Sequence, residues 1–159
     1  MSPSPRIAIF PGSFDPFTLG HMQIVEQALL LFDLVIISIG QSASKLPWFD
    51  LKQRLAALAT TFASEKRVRI EIFNGLVVNF AQQQGATFLI RGLRSETDLA
   101  FELPMAHTNR ALAPQIQTVF LPSAPELAFI SSTLVREIAK HGGDFSRFVP
   151  AAFAQNLNK

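Results

Sequence analysis

The chain has no cysteine and no tyrosine among its 159 residues. Without thiols it can form no disulfide framework, offer no thiolate nucleophile, and bind neither zinc nor an iron-sulfur cluster through sulfur. Charge is scarce too: Asp, Glu, Lys and Arg make up 16% of the residues, against about 25% in ordinary soluble domains. Part of the surface is therefore expected to be apolar and covered between subunits, which predicts a homo-oligomer. The formal net charge is only +2. An isoelectric point of about 9.4 accompanies so small a charge because no Cys or Tyr titrates between histidine and lysine. No basic stripe interleaved with aromatics appears, which speaks against a nucleic-acid partner. Long hydrophobic runs are missing as well: the longest, Ala28 to Ile37, is broken by Asp33, and the start MSPSPRIAIFPG has no signal-peptide core. A soluble, cytoplasmic chain with no membrane partner is expected.

What is present suits a single domain over 1–159 with a frayed Met1 to Pro5, since 48% of the residues are hydrophobic. Five β-type runs recur, at Arg6 to Phe10, Leu34 to Gly40, Val68 to Phe73, Thr87 to Arg91 and Gln117 to Leu121. Between them lie helical patterns. His21, Ile24, Val25, Ala28, Leu29 and Phe32 form one stripe after Gly20, and Leu51, Leu55, Leu58, Ala59 and Phe62 form another after a capping Asp50. Further helices are predicted from Leu76 to Gln84 with Gly85 as stop, within Ser95 to Ala113, from Ser132 to His141, and after Pro150. Pro104 in the fourth predicts a kink, or a start near Glu102. Strands alternating with helices imply an α/β fold, a doubly wound parallel five-stranded sheet in a Rossmann-like three-layer sandwich. Ligands of such sheets bind beyond the carboxyl ends of the strands, which points to the loops at 11–20, 41–49, 74–75, 92–95 and 122–131.

The first of these loops, Pro11-Gly12-Ser13-Phe14-Asp15-Pro16-Phe17-Thr18-Leu19-Gly20-His21, leads from strand to helix and resembles a phosphate site. Gly12 lets backbone come close to a ligand, Ser13 offers a hydroxyl, and the helix presents free N–H groups and a positive dipole end to an anion. Neither the P-loop nor the dinucleotide fingerprint is present. By themselves Gly12 and Pro16 fit a plain turn, and His21 a half-buried helix residue. Ile130-Ser131-Ser132-Thr133-Leu134-Val135-Arg136 opens the fifth helix with hydroxyls that either cap it or bind phosphate. In Leu89-Ile90-Arg91-Gly92-Leu93-Arg94 two guanidinium forks flank a glycine at a strand's end, suited to polyphosphate or to surface ion pairs such as Arg94 with Asp98. Lys45, in Ser42-Ala43-Ser44-Lys45-Leu46-Pro47, is ambiguous alone.

Thr18-Leu19-Gly20-His21 resembles the T/H-x-G-H signature of the nucleotidyltransferase superfamily, and Ile130 to Arg136 resembles its I-S-S-[ST]-x-x-[RK] motif. Together with S-A-S-K-L-P-W-F, N-G-L-V-V-N-F-A, L-I-R-G-L-R and D-L-A-F-E-L-P-M-A-H-T-N-R, the order of motifs is similar to that of the phosphopantetheine adenylyltransferase family. The resemblance implies transfer of the adenylyl group of ATP to pantetheine 4'-phosphate, giving dephospho-coenzyme A and pyrophosphate, with no covalent enzyme intermediate. It implies His21 as charge stabiliser, with His21, Lys45 and Arg91 as the catalytic set. Ser13, Lys45, Val77 and Arg91 would hold the pantetheine phosphate and arm. Ser13, Phe14, His21, Gly92, Leu93, Arg94, Glu102 and the stretch Leu127, Ala128, Phe129, Ile130, Ser131, Ser132 and Thr133 would line the ATP site. It further implies Mg²⁺ arriving with ATP, coenzyme A as a feedback ligand, and a hexamer. Phe101 and Leu127 depart from the family's frequent tyrosine and aromatic. The rival reading is an adenylyltransferase for nicotinamide or nicotinate mononucleotide, and Lys45 and Arg91 count against it. A nucleotide-binding module without turnover is the rival from another class.

Overall fold

A computed structural model describes residues 4–157, so Met1 to Pro3 of the terminus expected to fray lie outside the described residues. Strands β1 (Ile7–Gly12), β2 (Leu34–Gly40), β3 (Val68–Phe73), β4 (Phe88–Leu93) and β5 (Gln117–Pro122) form one sheet. All pairings are parallel, in the order β3-β2-β1-β4-β5. Helices α1 (Leu19–Leu31), α2 (Leu51–Thr61), α3 (Val77–Gln83), α4 (Glu96–Leu112), α5 (Ser132–Lys140) and α6 (Ala151–Leu157) lie between and after the strands. The fold is the expected doubly wound, Rossmann-like α/β sandwich.

Both sheet faces are buried, which is why the central strands read as unbroken apolar runs. Along β2, Val35, Ile37 and Ile39 join a cluster with Ile24, Val25 and Ala28 of α1, Leu58 of α2, Val135 of α5 and Phe153 of α6. Ile36 points to the other face, where it joins Ile9, Leu89 and Val78, Phe80 and Ala81 of α3. Helix α4 buries none of its residues and leaves Phe101 and Met105 exposed, so one apolar helix face has no partner among the described residues.

Strand β1 runs two residues past its expected end because Pro11 and Gly12 continue the register opposite Ser38 and Ile39. Helix α4 lies within Ser95 to Ala113 as expected, and of the two alternatives for Pro104 the start near Glu102 is corrected, since the helix runs from Glu96 through Pro104 to Leu112. Its first turn is held without Pro104: the Ser95 hydroxyl accepts from the Asp98 N–H, and Glu96 and Asp98 complement the dipole. Among the described residues no helix is long and apolar enough to cross a membrane.

Strand order reverses at β1 and β4, and the backbone ladder between them covers only Ala8↔Phe88 and Ile9↔Leu89. Beyond those pairs the carboxyl ends of the two strands are free to flank a crevice, where the loops after β1 and β4 meet.

Candidate active site

The loop after β1 is held by side chains from distant parts of the chain. The Pro11 carbonyl at the end of β1 and the loop carbonyls of Asp15 and Pro16 accept hydrogen bonds from Arg91 Nη1, Arg136 Nη1 and Ser132 Oγ, each at 2.8 Å. The Ser13 carbonyl accepts from Arg54 Nη1. Phe14 sits at φ +46°, strained for a bulky residue. Its ring is buried against Phe10 and Phe17, with centroids 5.2 and 5.3 Å away. A Cβ on Gly12 would come within 2.9 Å of that ring. Gly12 therefore makes room for Phe14, a packing reason that the sequence does not announce. The Asp15–Pro16 bond is cis.

Thr18 caps α1, and His21 at the third helical position completes a capping box of unusual composition. His21 Nδ1 accepts the Thr18 N–H at 3.0 Å. An acceptor Nδ1 places the proton of the neutral ring on Nε2, the nitrogen left to donate to a ligand. Three phenylalanine rings surround the imidazole, Phe10, Phe14 and Phe17, at 6.1, 5.1 and 5.3 Å. Burial first, and then the nearby Arg91 and Arg94 cations, push the His21 pKa down from 6.5 to about 4.

That shift makes stability depend on pH. Between about pH 6.5 and pH 4 the unfolded chain protonates at this histidine while the folded chain does not. Stability is therefore lost as pH falls through that window, with a slope of at most about 1.4 kcal/mol per pH unit. A Gln side chain at position 21 keeps an acceptor for the cap and does not titrate. Urea midpoints measured across this window are expected to fall more steeply with acid for the wild type than for His21→Gln. Parallel curves would contradict a histidine kept neutral by its site.

From β4, Arg91 is gripped by Glu102 of α4: Nε donates to Oε2 at 2.8 Å and Nη2 to Oε1 at 2.6 Å. With Nη1 on the Pro11 carbonyl, the fork bridges the place where the β1–β4 ladder stops. Arg94 pairs with Asp98, Nε to Oδ2 at 3.0 Å, and holds that carboxyl below the usual range. The surface ion pair weighed for Arg94 thus exists, and Arg94 still borders the crevice. Ser131 Oγ caps α5 by accepting the Leu134 N–H at 3.0 Å. The capping reading of the hydroxyl cluster therefore holds for Ser131, while Ser132 ties the helix to the loop after β1.

Two cavities, each of ligand size, open here. One of about 490 Å³ is bordered by Gly12, Ser13, Phe14, His21, Arg91, Gly92, Arg94, Glu102, Ile130, Ser131, Ser132, Thr133 and Arg136. The second, of about 680 Å³, is bordered by Ser13, Gln41, Lys45, Trp48, Arg54 and Arg136. Ser13 and Arg136 belong to both. Of the residues expected in the site, Val77, Leu93, Leu127, Ala128 and Phe129 border neither cavity. Lys45 and Arg91 stand in different cavities, on either side of Ser13. Arg136 was not among the expected site residues, although it ends the I-S-S-T-L-V-R segment. Its guanidinium is fixed by the Asp15 carbonyl and by Thr133 Oγ1 at 3.1 Å. Asp15 and Arg54 also escaped the sequence reading, since nothing local marks an Asp in a turn or an Arg in a helix as buried. Burial pulls Arg54 below its usual range, opposed by the charges of Asp15 and Asp50.

Among the described residues, no group of three or more His, Asp or Glu side chains could hold a metal ion. The carboxylates nearest the crevice, Asp98 and Glu102, are already engaged by Arg94 and Arg91. The site as built is a cradle of cations, hydroxyls and N–H groups for polyanions.

Residues 9–138 match the family model for cytidylyltransferase-like proteins. The chain is 44% identical over 153 residues to the phosphopantetheine adenylyltransferase of Cyanothece sp., covering 96% of this chain and 90% of that one. It is 46% identical to the protein of the same name from Synechococcus sp., covering 96% of each. A third, from Cytophaga hutchinsonii, is 46% identical over 91% of this chain and 97% of its own length. With identity at that level along nearly the whole chain, and a family model matched over residues 9–138, this protein belongs to the phosphopantetheine adenylyltransferase family.

Proposed function

We infer that this chain transfers the adenylyl group of ATP to pantetheine 4'-phosphate, releasing pyrophosphate and giving dephospho-coenzyme A. The observation that carries the assignment of roles is the meeting of two cation-lined cavities at Ser13 and Arg136. ATP takes the first cavity, its phosphates between the start of α1, His21, Arg94 and the start of α5. The acceptor phosphate enters from the second, drawn by Lys45, and reaches Ser13 with Arg91 across from it. An oxygen of that phosphate forms the new bond to the α-phosphorus as the bond to the β-phosphate oxygen breaks.

An ionised phosphate is already a nucleophile, so the reaction needs alignment and charge screening and no general base. His21 suits that task as a neutral Nε2–H donor whose ring is fixed from the other side by Thr18. Arg91 and Arg94 supply fixed positive charge without reorganisation, which is how such groups favour a transition state richer in local charge than the ground state. Mg²⁺ enters as part of the substrate, bound to ATP oxygens, in keeping with carboxylates already paired to arginine. The uncovered apolar side of α4, with Phe101 78% exposed, supports a homo-oligomer. A hexamer in the cytoplasm is the form proposed. Coenzyme A, which is the product bearing one more phosphate, is the expected feedback ligand.

Purified protein given Mg-ATP and pantetheine 4'-phosphate is expected to release pyrophosphate and form dephospho-coenzyme A in equal amounts. ATP binding without turnover of this acceptor would favour a nucleotide-binding module and overturn the assignment.

A further inference from the structure

Lys45 lies on a segment, 41–49, with no helix or strand of its own, and its neighbour Leu46 is 99% exposed. Something outside the segment must set where the lysine stands. Two charged side chains that are almost wholly buried, Asp15 at 7% and Arg54 at 5% exposure, converge on its end. The Asp15 carboxylate accepts the Trp48 N–H through Oδ2 and the Phe49 N–H through Oδ1, both at 2.8 Å. Arg54, four residues after the cap of α2, donates from Nε to the Phe49 carbonyl at 3.0 Å and from Nη1 to the Ser13 carbonyl.

Phe49 is thus held at its N–H by the loop after β1 and at its C=O by α2, while its ring packs on Phe145 at 5.9 Å. Burying charge is unfavourable unless its hydrogen bonds are met. Here the bonds go to the backbone of two segments, one carrying Ser13 and the other leading from Lys45. Arg54 touches both.

We propose that Asp15 and Arg54 are positioning residues that fix the Lys45 segment against the Ser13 loop, and so set the approach of the acceptor phosphate to the α-phosphorus. The inference rests on the adenylyl-transfer reading for its kinetic consequence, but the clamp can be tested without substrate. A displacement of about 1 Å at such a site can lower the rate about 10²-fold.

Trp48 is the only tryptophan, and its N–H is one of the two held by Asp15. Its emission therefore reads the segment in the intact protein. Asp15→Asn retains one acceptor oxygen and turns the other into an NH₂ facing an N–H donor. Acrylamide quenching of Trp48 is expected to rise about twofold or more in this variant. The specificity constant for pantetheine 4'-phosphate should fall on the order of 10²-fold, while the Kd for ATP should stay within about threefold of wild type. Arg54→Lys keeps the charge without the fork and should lie between Asp15→Asn and wild type in both readouts. Circular dichroism melts set a temperature at which each variant is folded, and if Asp15→Asn does not fold, Arg54→Lys alone carries the test. Unchanged Trp48 quenching would overturn the clamp. Equal losses for ATP and acceptor would overturn the positioning role and leave only a structural one. If wild type makes no dephospho-coenzyme A, the reaction assignment fails and the Trp48 response alone decides whether the clamp exists.

Discussion

His21→Ala is expected to lower kcat about 10²- to 10³-fold, equivalent to roughly 3–4 kcal/mol of transition-state stabilisation. The variant loses the Nε2–H donor, whose orientation depends on Nδ1 accepting the Thr18 N–H at 3.0 Å. Because the charge it meets develops mainly as the α–β bond breaks, the affinity for ATP should change by only about threefold. The alanine also removes half of the α1 capping box, at a stability cost of about 1 kcal/mol. His21→Gln separates the two effects. Glutamine at the third helical position is the ordinary partner in such a box and should restore the melting temperature, while kcat stays low. Steady-state kinetics with calorimetric ATP binding check the result. A fall in kcat of less than about tenfold, or a loss confined to ATP affinity, would remove His21 from the transition state.

Arg91→Lys should be nearly as damaging despite conserving charge. The guanidinium gives three of its N–H groups to Glu102 and to the Pro11 carbonyl, at 2.8, 2.6 and 2.8 Å. The remaining donors of its five are available to phosphate. An ammonium group, a single point with three donors, cannot span a carboxylate edge, a carbonyl and a phosphate together. The specificity constant for the acceptor is expected to fall on the order of 10²-fold, with a smaller change for ATP. Arg91→Ala should in addition lose roughly 1–3 kcal/mol of stability, because Glu102, with a side chain only 15% exposed, is left unpaired. A lysine variant within about threefold of wild type would show that only net charge matters at this position.

The layered sheet was legible because its signals are local and periodic. Leu-Val-Ile-Ile-Ser-Ile-Gly has the length and apolar continuity of a strand buried on both faces, and β2 occupies those seven residues. Asp50 with Gln53 predicts the cap of α2, and both halves of that capping box are formed. Gly85, read as a helix stop, has φ +67°. A start near Glu102 does not follow from Pro104, because a proline weakens only the bonds of its own turn. Ser95 caps the helix nine residues before Pro104, and Glu102 and Asp98 are tied to Arg91 and Arg94.

At the site, the motifs marked individual residues and the three-dimensional meeting assigned their partners. His21 could be singled out from Thr18-Leu19-Gly20-His21, but its tautomer follows from a backbone bond that only the folded turn creates. The resemblance puts Glu102 in the lining of the ATP site, and in the structure its two oxygens serve Arg91. Arg136 bonds to a carbonyl 121 residues away, and Arg54 to one 41 residues away. Contacts of that span leave no periodic trace in the chain.

The acceptor choice is the central claim, and one competition experiment tests it most directly. The wild-type protein is given limiting Mg-ATP with equal amounts of pantetheine 4'-phosphate and nicotinamide mononucleotide, and the adenylylated products are identified by mass. Adenylyl transfer guided by Lys45 and Arg91 predicts that the product is dephospho-coenzyme A, formed in equal amount with pyrophosphate. A product carrying the nicotinamide nucleotide in its place would preserve the fold and the role of His21, and would contradict the acceptor site described for Ser13, Lys45 and Arg91.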